Sequence, residues 1–65
     1  MCLSNVYLLK QEQEKELIAR NIASVTVRDG KLVFTNLMGI PVTVEGTIER
    51  IDLMDNFIEV KGTVK

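Results

Sequence analysis

No histidine and no tryptophan occur in this 65-residue chain, and cysteine appears once. Those absences exclude nucleophile–histidine triads, zinc sites built from paired cysteines, and the intramolecular disulfides that staple many domains of this size. The four glycines, Gly30, Gly39, Gly46 and Gly62, are too scattered to form a phosphate cradle or a dinucleotide fingerprint. Aromatic side chains are limited to Tyr7, Phe34 and Phe57, so platforms for stacking bases are scarce. Neither sign of charge dominates: 8 Lys and Arg stand against 9 Asp and Glu, with the basic residues spread from Lys10 to Lys65. Nucleic-acid binding rests on cations displacing counterions from phosphates, so this balance argues against such a partner. Long apolar runs are missing too. Val6 to Leu9 is too short for a signal-peptide core or a membrane span, and no cationic leader precedes it, so the expectation is a cytoplasmic protein without membrane contact.

What is present describes a folded domain. Hydrophobic residues make up 46% of the chain and charged residues 26%, which places it among soluble globular proteins and not among disordered ones. Residues 1–65 are expected to form a single domain. A chain this short buries only about 60% of the surface its unfolded form exposes, so its core is marginal. With a disulfide excluded, a metal or a partner subunit is the remaining source of support.

Alternation of apolar and polar residues dominates the pattern. Ala23, Val25 and Val27 fall on one face and Ser24, Thr26 and Arg28 on the other, which predicts a half-buried strand. Asp29-Gly30 follows, the dipeptide that supplies positive φ at both central positions of a type I′ hairpin, and Leu32 and Phe34 continue as core positions of the returning strand. Met38-Gly39-Ile40-Pro41 breaks the alternation and predicts a loop or corner. Val42, Val44, Gly46 and Ile48 share one parity while Ile51 and Leu53 lie on the other, so a β-bulge or bend is expected near Glu49 and Arg50. Asp55-Asn56 predicts a turn. Ile58 and Val60 predict a last strand ending before Gly62, with frayed residues after it.

At the N-terminus, Cys2 to Lys10 is apolar on both parities, as in a strand buried on both sides at a subunit interface or at the centre of a barrel. Gln11 to Glu16 is polar throughout and reads as a loop. Leu17-Ile18-Ala19 reads as a short strand or connection. Five or six short strands with Gly- and Asp-rich turns predict an all-β fold, a small SH3-like barrel. The OB-fold competes, but it calls for a helix between its third and fourth strands that this pattern does not contain.

Few residues carry chemistry. Asp29, Glu45, Glu49, Asp52, Asp55 and Glu59 fall mostly on solvent parity or in turns, where charge keeps a surface wet. No general acid–base pair or activated nucleophile is legible, so an enzyme is not expected. Cys2 stands apart, because a thiolate beside a terminal amine and a deprotonatable amide can chelate a metal in five-membered rings. Such a tetragonal N/S set suits nickel or copper. The plainer reading, a small apolar residue opening a strand, is equally compatible with its position.

The opening Met1-Cys2-Leu3-Ser4-Asn5-Val6-Tyr7 resembles the start of the CooT family, small nickel-binding proteins linked to maturation of carbon monoxide dehydrogenase. The Val25 to Gly30 hairpin, the turn before Pro41 and the stretch from Gly46 to Leu53 resemble the same pattern. The resemblance implies an SH3-like fold, a symmetric homodimer, and Ni(II) held through Cys2 at the dimer interface. It also implies a nickel enzyme or its maturation factors as partners. The alternative is a metal-free SH3-like interaction module, in its most specific form an RNA binder using the polar strands around Thr26 and Thr43.

Overall fold

The computed structural model describes residues 3–11 and 14–65, and among them there are strands and turns but no helix. Five strands follow in order: β1 (Ser4–Leu9), β2 (Lys15–Arg28), β3 (Lys31–Asn36), β4 (Pro41–Asp52) and β5 (Phe57–Val64). Each pairs with its neighbour in sequence, and β1 pairs with β5 to close the barrel. An odd number of strands in up-and-down order forces the closing pair to run parallel. That is what Asn5 to Leu8 against Phe57 to Val60 does, while the other four pairings are antiparallel.

Turn chemistry accounts for the connections. Asp29 (φ 53°) and Gly30 (φ 77°) form the expected two-residue hairpin between the paired Arg28 and Lys31. Gly39 (φ 84°) turns the chain ahead of Pro41, which opens β4 at a position where its missing N–H costs least. The phase shift is also as expected. Ile48 pairs with Val60 and Arg50 with Glu59, so Glu49 is the extra residue of a bulge.

The core consists of Val6, Ala19, Ile22, Leu32, Phe34, Val44, Ile58 and Val60, with Leu8, Ile18, Val42 and Ile48 packed against it. Phe34 is fully buried, a contribution of about 1.5 to 3 kcal/mol from removing its ring from water.

Four expectations need correction. Leu17-Ile18-Ala19 is not a separate element but the first half of the 14-residue β2. Asn21 adopts φ 54° and the register with β3 shifts between Ile22 and Ser24, so the strand bends without ending. Asparagine tolerates that left-handed conformation better than most residues, and the bend lets one half of β2 serve β1 and the other half β3. The polar loop is accordingly shorter than Gln11 to Glu16. Lys10 N donates to Glu14 O (2.9 Å), and the chain is extended again from Lys15.

Second, Val25 and Val27 pair with the buried Phe34 and Leu32, yet Val27 is 69% exposed because the hairpin overhangs the barrel. Third, the chain after Gly62 is not frayed. Val64 pairs with Val44, and Lys65 N donates to Thr43 O at 2.8 Å. Fourth, Glu59 is buried and not on a wet surface. As for β1, it pairs with β2 along one edge and with β5 along the other, and Val6 is its one buried residue, the rest being half-buried.

Candidate functional site at the start of strand β1

Cys2 lies outside the described residues. The chain that follows it enters the barrel at a corner built largely from asparagines. Ser4 pairs with Ile22, and Ile22 in turn with Asn36. One step along, Asn5 is held from both sides. Its N–H donates to Asn56 O at 3.1 Å, and its Oδ1 accepts from Asn21 N at 3.3 Å. Asn21 O then accepts from Leu37 N at 3.0 Å, so four residues link the β4–β5 turn to the β3–β4 turn through the start of β1. Asn36 caps its own turn, with Oδ1 accepting from Met38 N (2.9 Å) and Ile40 N (3.0 Å). Short amide side chains that bond to nearby backbone are the usual device for such corners.

These two turns carry unusually apolar tips. Leu37, Met38 and Ile40 are exposed on one, and Leu53 and Met54 on the other, the last two at 83% and 90%. Beside the second turn, Asp52 Oδ1 accepts from Asp55 N (2.8 Å) and Met54 N (3.0 Å), and Arg50 donates to Oδ2 (3.0 Å). The Asp55 amide above all, with the Met54 amide and the Arg50 charge, holds the Asp52 carboxyl below the usual carboxylate range against an opposing desolvation effect.

The outer face beyond Asn5 holds a cluster that sequence reasoning missed. Tyr7 and Phe57 meet edge to face with centroids 6.2 Å apart. Lys15 Nζ lies 5.8 Å from the Tyr7 centroid and 5.5 Å from that of Phe57, while Arg50 lies 5.3 Å from Phe57. Lys15 Nζ also donates to Glu59 Oε2 at 2.6 Å. The parity of Phe57 and Glu59 was visible in sequence, but nothing local showed that parallel pairing would set Tyr7 beside Glu59. Both cations of this cluster are already committed to carboxylates, so it stabilises the face and offers no free charge to a ligand.

Among the described residues, no three His, Cys, Asp or Glu side chains come together as a metal site. An open groove runs past the end of β1 between Leu8, Ile18 and Val64, with the Lys10–Glu16 ion pair (3.0 Å) among its lining residues. No helix of the described residues is long and apolar enough to cross a membrane.

Comparison with known proteins adds two findings. The model of the family described as CO dehydrogenase accessory protein CooT matches residues 1–61. Among solved structures, a chain assigned as CooT from Carboxydothermus hydrogenoformans superposes with a TM-score of 0.85 at 18% sequence identity, covering 94% of this chain and 97% of that one. At that identity the likeness speaks for the fold. No curated protein matches.

Proposed function

The chain belongs to the CooT family of CO dehydrogenase accessory proteins, and from that membership we propose that it binds Ni(II) through Cys2 at a homodimer interface. In this reading it acts in the cytoplasm, supplying the ion for maturation of a nickel enzyme such as CO dehydrogenase. The role is accessory and not catalytic. The observation that carries the reading is that the family match includes Cys2, the only thiol of a chain without histidine.

The chemistry supports it. A thiolate with neighbouring main-chain nitrogens is a tetragonal N/S donor set of the kind Ni(II) accepts, whereas the remaining sulfurs, in Met1, Met38 and Met54, are weak thioether donors. The ion is cargo in this reading, so the protein must also release it. The RNA-binding alternative gains little support. Phe34 is buried, and the Tyr7 and Phe57 rings are engaged with each other and with cations.

Titrating Ni(II) into the reduced protein tests the proposal. A thiolate-to-nickel charge-transfer band should grow and saturate at one ion per dimer, and Cys2→Ser should abolish it. Binding deprotonates the thiol, so affinity should fall as pH drops below neutrality. A Cys2→Ser variant that bound Ni(II) as tightly as the parent would overturn the assignment.

A further inference from the structure

Strand β5 outlasts its partner on one side. Its ladder with β1 ends where Leu8 meets Val60, whereas its ladder with β4 continues to Val64. β1 follows it no further because the chain turns back into β2, with Lys10 N donating to Glu14 O and Glu14 N to Gln11 O. Residues 61–64 are all exposed, paired along one edge and unpaired along the other among the described residues.

Register fixes which backbone groups face the open edge. Lys65 N donates to Thr43 O, and hydrogen-bonded and non-hydrogen-bonded pairs alternate along an antiparallel ladder, so Thr63 and Lys61 also bond to β4. Gly62 and Val64 form the intervening pairs. Their N–H and C=O groups therefore turn away from β4, toward the groove lined by Leu8, Ile18 and Val64. Side chains alternate as well. Positions 60, 62 and 64 take the inner side, where Val60 is buried and Gly62 leaves room, and positions 61, 63 and 65 take the outer side. On that outer side Lys31 and Lys65 share Glu45, at 3.6 and 3.4 Å, and Lys61 is in no ion pair among the described residues. Three lysines stand there against one carboxylate.

We propose that this edge accepts an extended segment of a partner protein as an added strand, one that alternates apolar and acidic side chains. Unbonded peptide groups along a strand edge select an extended backbone, which pairs with them as any strand joins an open sheet. The segment's apolar side chains enter the groove against Leu8, Ile18 and Val64, and its carboxylates lie over the lysine surplus around Lys61 and Lys65. The site sits at the opposite end of β1 from the Asn5 corner and does not depend on nickel.

Titration of the full chain with a capped peptide of alternating valine and glutamate, followed by amide NMR, tests the proposal. The Gly62 and Val64 amides should shift together and become protected from solvent exchange, with a dissociation constant of about 0.1 to 1 mM. Methylating alternate nitrogens of the peptide should remove binding in one phase and spare it in the other. Val64→Pro should abolish binding, because proline deletes an outward N–H that β4 does not use. Lys61→Glu, an exposed substitution that leaves the barrel intact, should weaken binding about threefold or more and keeps the test decisive if the proline disturbs β5. No binding at millimolar peptide, or equal binding of a valine–lysine peptide, would overturn the proposal. So would Gly62 and Val64 amides already protected in the peptide-free protein, or shifting on its dilution, which would give the groove to the chain itself or to a second copy.

Discussion

Gly46 and Gly62 face each other across β4 and β5 with no room for a side chain on either. A Cβ on Gly46 would lie 2.8 Å from the Gly62 Cα and run into the Lys61 carbonyl. One on Gly62 would lie 2.8 Å from the Gly46 Cα and run into the carbonyl of Glu45. Gly62 also adopts φ 144°, a region that side-chain-bearing residues avoid. The pair lets the two strands approach while β5 continues past the end of β1 to Val64.

Gly46→Ala should therefore destabilise the barrel by about 2 to 3 kcal/mol or more, because the obstruction is backbone and cannot rotate away. A 65-residue domain has on the order of 3 to 10 kcal/mol to lose, so much of the variant should be unfolded at 37 °C. Gly62→Ala should be at least as severe. Gly39→Ala, with open space around the Cβ but φ 84°, should show only the cost of its backbone conformation. Thermal melts of the three variants check the order. A Gly46→Ala melt matching the parent would show that the close approach does not exist.

Lys15 ties the far side of the β1–β2 loop to β5. Its partner Glu59 has a side chain only 10% exposed, whereas Lys15 itself is about half exposed. Lys15→Met should cost about 1 to 2 kcal/mol, less than for a fully buried pair because water screens the lysine. The double variant Lys15→Met, Glu59→Leu should recover part of the loss by removing the stranded carboxylate. A double variant no more stable than Lys15→Met alone would show that Glu59 is not penalised when left without its lysine.

Acid should loosen the β4–β5 turn. The folded state holds the Asp52 carboxyl below its unfolded value, so its contribution is fully present above about pH 4 and is lost as pH falls through the depressed folded value. Asp52→Asn keeps an oxygen to accept from the Met54 and Asp55 amides but cannot titrate, so it should flatten this part of the acid limb. Melting temperatures measured from pH 2 to pH 5 decide. Parallel profiles for the two proteins would remove Asp52 from the account.

Leu8→Asp separates core from interface. Leu8 is partly buried and packs against the core, with Val60 and Glu16 as its strand partners. The charge should lower the melting temperature at any protein concentration, a cost of roughly 2 to 3 kcal/mol for an unpaired carboxylate facing apolar neighbours. Dissociation into folded monomers would instead show that Leu8 belongs to the subunit contact.

Features decided within a few residues were legible in the sequence. The Asp29-Gly30 hairpin, the break at Gly39 and Pro41 and the bulge at Glu49 each follow from local backbone preference or from a slip in apolar parity, and neither depends on distant partners. The barrel class followed from the number and length of the strands. Tertiary structure decided everything that depends on which strands meet. Asn21 bends β2 instead of ending it because the two halves find different partners, and residues 63 to 65 are ordered because β4 runs beside them. Parallel closure of β1 on β5 set Lys15 over Tyr7 and Phe57 and buried Glu59. The same closure drew two apolar turns, separated in the chain by the 12 residues of β4, to the corner at the start of β1. Parity along a strand tells which side a residue takes, but only the pairing of strands tells what lies on that side.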